Sequence, residues 1–124
     1  MKEAVMPYRV TDVKDLARGL RDTLLEGAPG FLEALYDVGS IEDDKLRPLV
    51  AAMMADSARF LQMAREKLRP RSVEVASEEQ RGTSYVVRLL LDGKTTLEVL
   101  VDDVYAREGS LHTRDVMQIK LIAG

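Results

Sequence analysis

The chain has 124 residues, of which 46% are hydrophobic and 31% are charged, and its formal net charge is −3. This size and composition predict one domain with a packed core rather than a disordered chain. The absence of cysteine and the presence of one histidine exclude a disulfide framework, a thiolate zinc site and a multi-histidine metal centre within one chain. The acidic balance argues against a broad basic face for nucleic acid. We therefore expect no metal, no cofactor and no nucleic-acid partner.

The N-terminal segment Met1–Val10 lacks the apolar core of a secretory signal. No run in the chain approaches the roughly 18 consecutive apolar residues that a membrane helix needs. The sequence therefore predicts a soluble, cytoplasmic protein without a membrane partner.

Apolar spacings of three and four residues predict helices in the first half of the chain. The first helix has one apolar stripe, which comprises Val13, Leu16, Ala17, Leu20 and Leu24. Thr11 or Asp12 is the expected N-cap, and Gly27 with Ala28-Pro29-Gly30 is expected to end this helix. A short second helix is predicted from Phe31 to Val38, before Gly39.

The third predicted helix is the longest, and it is expected to begin after an N-cap at Asp43 or Asp44. Pro48 then lies in the first turn, and Arg69 before Pro70 marks the end. Its predicted core stripe comprises Leu46, Leu49, Val50, Met53, Ser57, Phe60, Leu61, Ala64 and Leu68. Met53, Met54 and Met63 are candidates to line an adaptable hydrophobic groove.

After Pro70 the apolar period changes to two, which predicts β-strands. The predicted strands are Ser72–Glu78, Ser84–Leu91, Thr95–Tyr105 and Leu111–Ile122, separated by turns at Gly82, Asp92-Gly93 and Glu108-Gly109-Ser110. Short turns between neighbouring strands indicate an antiparallel meander. The sequence thus predicts a single α+β domain over residues 1–124, with N-terminal helices packed on a curved four-stranded antiparallel meander.

Several predicted strands are apolar in consecutive positions, as in Val86-Val87, Leu89-Leu90-Leu91 and Val99-Leu100-Val101. Such strands present apolar side chains on both faces of a sheet, whereas helices with one apolar stripe cover only one face. An uncovered apolar face of several hundred Å² is rare in monomers. We therefore expect a homodimer formed through the sheet, or a hydrophobic partner in that position.

The order of helices before a four-stranded meander resembles the cone-shaped fold of the nuclear transport factor 2-like and ketosteroid isomerase-like superfamily. The run Phe31-Leu32-Glu33-Ala34-Leu35, then Asp37 and Gly39, then Leu46–Asp56, is similar to the helix–loop–helix opening of that superfamily. The resemblance implies a curved sheet around the helices, a pocket inside the cone and dimerisation through the outer face. Because members include isomerases, cyclases, dehydratases and non-enzymatic scaffolds, it implies no single activity.

Alternation along the predicted strands makes four polar residues candidates for one pocket. In a regular strand, Asp115 lies on the same face as Met117. Asp103 and Tyr105 lie on the same face as the inward residues of their strand, and Tyr85 lies on the inward face of its own strand. A desolvated carboxylate can act as a general base and a phenol as an acid. In the other interpretation these side chains lie at solvated strand ends, and one bulge reverses their parity.

Two functional hypotheses follow. The first is a homodimeric domain that binds a small apolar ligand or another protein, with Tyr36, Met54, Tyr85 and Met117 as the expected ligand contacts. The second is a small lyase or isomerase, with Asp103 or Asp115 as base and Tyr85 or Tyr105 as acid. A nucleophilic triad of Ser110, His112 and an aspartate is a weaker alternative, because Gly109-Ser110 is typical of a turn and His112 is expected to be exposed.

Overall fold

The computed structural model describes residues 8–27 and 29–123. Over these ranges the chain forms three α-helices and six β-strands, with a short 3-10 helix (Val38–Ser40) before the third α-helix. The helices are α1 (Val13–Glu26), α2 (Pro29–Tyr36) and α3 (Leu46–Leu68). The strands are β1 (Val73–Arg81), β2 (Ser84–Leu91), β3 (Thr95–Val101), β4 (Val104–Arg107), β5 (Ser110–Thr113) and β6 (Gln118–Ala123). The predicted α+β class is confirmed.

The first helix begins and ends where the sequence predicts. The Asp12 carboxylate accepts a hydrogen bond from the backbone N–H of Asp15, and Gly27 ends α1 in the left-handed conformation with φ 70°. Ala28 and most of Met1–Val10 lie outside the described residues, so the predictions made for them stay predictions. The second helix begins two residues earlier than predicted and ends at Tyr36, because Asp37 turns the backbone with φ 48°.

Helices α1 and α2 pack closely at Gly19. The ring of Phe31 lies where a side chain at position 19 would stand, since a Cβ there would be 2.1 Å from Phe31 Cδ1. Phe31 is fully buried at this contact. A glycine in the middle of α1 lowers helix propensity, but it allows the two helices to pack closely.

Helix α3 ends at Arg69 as predicted, but it begins after Lys45 rather than after Asp43 or Asp44, and its buried face differs from the prediction. Asp43 lies in the turn before the helix, where its Oδ1 accepts hydrogen bonds from the N–H groups of Lys45 and Leu46. The predicted core stripe is wrong at two positions, because Leu49 is 59% exposed and Phe60 is 38% exposed. The stripe is wider than the surface that the sheet covers, so part of it faces outward.

Strands β1, β2, β3 and β6 form an antiparallel sheet in that order, and β4 pairs with β5 in a separate two-stranded sheet. The prediction of unbroken strands Thr95–Tyr105 and Leu111–Ile122 is wrong, because each is divided in two. In the first, Asp103 takes up φ 53°, and the hydroxyl of buried Thr113 donates to the carbonyl of Asp102 at 2.6 Å. Residues between Thr113 and Gln118 form the second interruption. Asp92-Gly93 and Glu108-Gly109 form the predicted tight turns, with positive φ at all four residues.

The two faces of the larger sheet differ in character. The inner face packs against the helices through side chains that include Val87, Leu89, Val99 and Val101. On the outer face, Arg88 and Glu98 lie directly opposite each other in the β2–β3 register with their charged groups 3.0 Å apart. The ammonium of Lys120 lies 3.9 Å from Glu98.

This row of charges corrects the prediction of a continuous apolar outer face. Val86 on that face is buried, and Leu90 and Leu100 are half-buried. Among the described residues, the large exposed apolar side chains of the sheet belong to β6, where Leu121 is 57% exposed and Ile122 is 46% exposed. The exposed apolar surface of the sheet thus lies at its β6 edge rather than across its outer face.

Candidate ligand-binding groove

An open apolar groove of about 620 Å³ lies between the C-terminal half of α3 and strand β6. We call it the α3–β6 groove. It is lined by Phe60, Met63, Ala64, Lys67 and Leu68 of α3, Leu97 of β3, residues 115–117 of the β5–β6 connection, and Gln118, Ile119 and Leu121 of β6. Its wall is therefore a helix, and its floor is the edge of the sheet.

Large apolar side chains face solvent in this groove. Phe60 is 38% exposed, Met63 is 52% exposed and Leu121 is 57% exposed. Single exposed apolar residues are common in soluble proteins, but a contiguous set marks a surface that binds something.

The two ends of the groove differ in charge. The hydroxyl of Ser57 accepts a hydrogen bond from the N–H of Met117, which places the Phe60 end of α3 beside Asp115. The Lys67 end of α3 is then left beside Leu121. Among the lining residues, Asp115 provides the negative charge and Lys67 the positive one, so they lie at opposite ends.

The side chains of Asp115 and Lys67 also differ in whether they make hydrogen bonds or ion pairs. The carboxylate of Asp115 accepts a hydrogen bond of 2.8 Å from the N–H of Val116. The ammonium of Lys67 makes neither a hydrogen bond nor an ion pair within the part of the chain that the structure describes. Lys67 is therefore the charge that remains open to an anionic group.

A buried polar network supports the floor of the groove at its Asp115 end. The hydroxyl of Tyr36 lies 2.7 Å from Ser57 Oγ and donates to the backbone carbonyl of Asp115 at 2.5 Å. Since the Tyr36 proton points to Asp115, Ser57 donates to Tyr36 and accepts from Met117 N–H at 2.9 Å. The network thus joins α2, α3 and the β5–β6 connection.

Burial determines the protonation state of this network. Tyr36 and Ser57 are both fully buried. Burial raises the pKa of Tyr36 to about 12, because desolvation disfavours the phenolate. Tyr36 is therefore a neutral hydrogen-bonding group at ordinary pH, and its role beneath the groove is to hold the floor in place.

Of the predicted ligand contacts and catalytic residues, Met117 and Asp115 line the groove, and Tyr36 lies directly beneath it. Met117 is buried in the floor. The prediction that Asp115 points inward on a regular strand is wrong, because it lies in the irregular β5–β6 connection and is exposed.

Asp103 and Tyr105 do not line the groove. The turn at Asp103 reverses the parity of the strand, so that Val101 and Val104 are both buried while Asp103 is exposed. Tyr105 packs its ring 5.7 Å from the ring of His112, and the guanidinium of Arg114 lies 4.7 Å above it. The acid–base pair that alternation predicted is therefore not assembled in this groove.

The other two predicted ligand contacts also lie elsewhere. Met54 lines a small depression of about 170 Å³ beside Asp37 and Gly39. Tyr85 is buried among the core residues of β2. Met63 is the member of the predicted methionine set that reaches the groove.

His112 is buried rather than exposed, which corrects the sequence prediction. It is 5% exposed, and its Nδ1 lies 3.1 Å from the carbonyl of Leu35. Its Nε2 lies 4.0 Å from Asp37, which is also paired with Arg107. Ser110 accepts a hydrogen bond from Arg9 at 3.3 Å. The aspartate beside the imidazole is thus Asp37 rather than Asp103 or Asp115.

Phe60 is a groove residue that the sequence analysis assigned to the core. The available signal was the width of the apolar surface of α3, where Phe60, Met63 and Lys67 recur at spacings of three and four residues beside the buried Leu61. The described residues contain no helix long and apolar enough to cross a membrane, and no cluster of three or more acidic or histidine side chains that could hold a metal ion.

Comparisons of the chain with protein-family models, with curated proteins and with solved structures find no significant match.

Proposed function

We propose that this chain is a binding domain whose ligand is a small amphiphile with an apolar chain and an anionic head. The observation that carries the proposal is the α3–β6 groove, in which Phe60, Met63 and Leu121 expose apolar surface to solvent. A binding domain needs no assembled acid–base pair, whereas the alternative lyase or isomerase does. Asp115 is the one predicted catalytic residue that lines the groove, which favours binding over catalysis.

The size and lining of the groove support a small ligand. Its volume of about 620 Å³ falls within the roughly 300–1,000 Å³ of typical small-molecule sites. Such sites combine apolar walls with a few polar groups that orient the ligand. Covering apolar surface stabilises a complex by roughly 25 cal/mol per Å² before the entropic cost of association. An apolar chain is thus the part of the ligand that supplies affinity.

The charges at the two ends support an anionic head beside Lys67. The Asp115 end is unfavourable for an anion, because the carboxylate there repels it. The Lys67 ammonium has no partner in the described chain. We therefore assign the head group to the Lys67 end and the chain terminus to the Phe60 end.

The resemblance to the nuclear transport factor 2-like superfamily and the cytoplasmic location stay part of this proposal. The resemblance is compatible with helices that pack against an antiparallel sheet. The homodimer likewise stays a proposal.

Dodecanoate is a suitable probe for the proposed function. We expect it to shift the backbone amide NMR signals of residues 117–121, and we expect dodecanol to bind more weakly because it lacks the charge. Met63→Gln should weaken binding about tenfold or more, since a polar group then meets the apolar chain. Leu49→Gln is the matched control, because Leu49 is equally exposed on α3 but lies outside the groove.

Lys67→Gln tests the assignment of the head group. It should weaken dodecanoate binding and leave dodecanol binding unchanged. Dodecanoate that shifts no groove amide, or that binds equally well to Met63→Gln and Leu49→Gln, would refute the proposed function.

A further inference from the structure

Positive charge is concentrated at one end of the molecule, where the C-terminus of α3 meets the β2–β3 turn. Residues 65–71 and 92–94 contain five basic and two acidic residues, so these two segments together carry a net charge of +3. The whole chain carries −3, so the rest of it carries −6. We call the exposed basic residues of these segments the basic end, which comprises Lys67, Arg69, Arg71 and Lys94.

Backbone contacts hold the two segments together. The carboxylate of Asp92 in the β2–β3 turn accepts hydrogen bonds from the N–H groups of Arg71 at 2.8 Å and Ser72 at 3.0 Å. The N–H of Asp92 donates to the carbonyl of Ser72 at 2.9 Å. Lys94 follows in the same turn, so its charge and that of Arg71 belong to one surface.

The basic end is not neutralised by acidic side chains. Among the described residues, none of its four side chains makes an ion pair. Glu66, the second acidic residue of these segments, accepts a hydrogen bond from Gln62 at 2.8 Å, one turn back along α3. The helix dipole favours cations in the last turn of α3, but Arg71 and Lys94 lie beyond the helix. The dipole therefore does not account for the whole set.

Exposed apolar side chains lie beside this charge. Strand β6 ends next to the start of β3, because Ala123 pairs with Thr96 directly after the β2–β3 turn. Leu121 and Ile122 are therefore at this end of the molecule, and both are exposed. Lys67 and Leu121 also line the α3–β6 groove, so the groove reaches the basic end.

We propose that the basic end docks on the surface of an anionic lipid bilayer, with Leu121 and Ile122 entering the headgroup region. An anionic membrane surface attracts clustered Lys and Arg side chains, and apolar side chains that enter the interface add to the binding. Nucleic acid is a less suitable partner, because bases stack on aromatic side chains and residues 65–71, 92–94 and 118–123 include none. The groove reaches the docked surface, so the bilayer is also the source of its amphiphile; this last step rests on the proposed function.

Docking of this kind differs from the sequence prediction of a protein without a membrane partner. That prediction was based on the absence of an apolar run long enough to span a bilayer. Docking through surface charge and two apolar side chains needs no spanning segment. The net charge of −6 on the rest of the chain is repelled by the same surface, which favours one orientation of the bound protein.

Vesicle sedimentation with the full, unliganded chain tests the proposal. Vesicles of phosphatidylcholine are the neutral reference, and vesicles with about one third phosphatidylglycerol are the anionic probe. We expect binding to the anionic vesicles to be about tenfold tighter or more. Most of this difference should be lost between about 0.05 and 0.5 M salt, because salt screens surface charge.

Arg69→Gln/Arg71→Gln removes two charges from the basic end without changing a residue that lines the groove. Each Lys or Arg near an anionic surface contributes about fivefold in affinity, so this variant should bind the anionic vesicles about 10- to 30-fold more weakly. Far-ultraviolet circular dichroism confirms that the variant is folded.

Lys14→Gln/Lys45→Gln is the matched control, because it removes the same charge from two exposed lysines at the starts of α1 and α3. The ends of these helices lie at the other side of the molecule, where Gly27 after α1 packs against Arg65. The control should bind anionic vesicles within about twofold of the wild type, since both lysines lie more than a Debye length along their helices from the basic end.

A single fluorescent label tests the orientation, since the chain has no cysteine of its own. Ile122→Cys that carries nitrobenzoxadiazole should shift its emission to the blue on anionic vesicles, as the label leaves water for the headgroup region. The same label on Lys45→Cys should keep its emission. Ile122 does not line the groove, so the label leaves that site unchanged.

The proposal is overturned by a chain that shows no preference for anionic vesicles, including one that binds polyuridylate instead. Equal affinities of the two double variants overturn it, as does a label at position 122 that shifts no more than the label at position 45. A chain that docks as expected but binds no dodecanoate supports the docking and refutes only the proposed function. A chain that binds dodecanoate but no anionic vesicles refutes only the docking.

Discussion

Removing the Tyr36 hydroxyl tests whether the buried network supports the floor of the groove. Tyr36→Phe keeps the ring and deletes one oxygen, so the backbone carbonyl of Asp115 loses its donor and Ser57 loses its acceptor. An unsatisfied buried polar group costs about 1–3 kcal/mol. With two groups affected, we expect the free energy of unfolding to fall by about 2–4 kcal/mol. The measurement is urea unfolding followed by circular dichroism, with an unchanged m value.

A double-mutant cycle separates the shared bond from the rest of the network. Ser57→Ala removes the acceptor of the Met117 N–H and the donor to Tyr36, so alone it should cost about 1–3 kcal/mol. Because both single variants break the same Tyr36–Ser57 bond, the double variant should lose less than the sum, by about 0.5–3 kcal/mol.

Tyr105→Phe is the matched control for this cycle. Tyr105 is a half-buried tyrosine whose hydroxyl makes no hydrogen bond within the described residues. Its variant should stay within about 0.5 kcal/mol of the wild type. A Tyr36→Phe variant as stable as Tyr105→Phe, or strict additivity in the cycle, would refute the reasoning.

Three further predictions concern other parts of the chain. The pKa of Tyr36 rises from 10.0 to about 12 on folding. Its contribution to the free energy of unfolding is therefore complete below pH 10 and is lost as pH rises from 10 through 12. Urea unfolding across this window should show an extra loss of stability of about 2–3 kcal/mol that Tyr36→Phe lacks. Gly19→Ala should lower the stability by about 1–3 kcal/mol despite a better helix propensity, because Phe31 occupies the space, and a thermal melt that rises instead would contradict this. Asp92→Ala should destabilise the start of β1 more than Asp92→Asn does, because the carboxylate accepts hydrogen bonds from the N–H groups of Ser72 and Arg71. These hydrogen bonds lower the pKa of Asp92, so its contribution to the free energy of unfolding is present above pH 4 and is lost as pH falls further. Acid titration of both variants checks this pH dependence.

Local signals accounted for most of the elements. Asp12, Gly27 and Asp43 act at helix ends, and Asp92-Gly93 forms a hairpin turn, because each acts on backbone groups within a few residues of itself. Their effect does not depend on how the chain folds elsewhere. These elements were therefore predictable from sequence alone.

The candidate site was predictable only in part. Alternation along the predicted last strand singled out Met117 and Asp115, which both line the groove, but the same argument misplaced Asp103 and Tyr105. The turn at Asp103 depends on Thr113, ten residues further along the chain, whose hydroxyl holds the carbonyl of Asp102. A pattern of period two carries no information about such a contact.

By itself, the sequence determined the order of helices and strands, the caps and turns between them, and the surplus of apolar side chains over what one core can bury. The tertiary structure alone decided which of these apolar side chains are exposed to solvent. Helix α3 is placed over β6 through the Ser57–Met117 hydrogen bond, so Phe60 and Met63 overhang an open strand edge, while Arg88, Glu98 and Lys120 pair across the outer face. The physical reason is that caps and turns depend on neighbouring backbone groups, whereas the exposure of a side chain depends on every segment that packs around it.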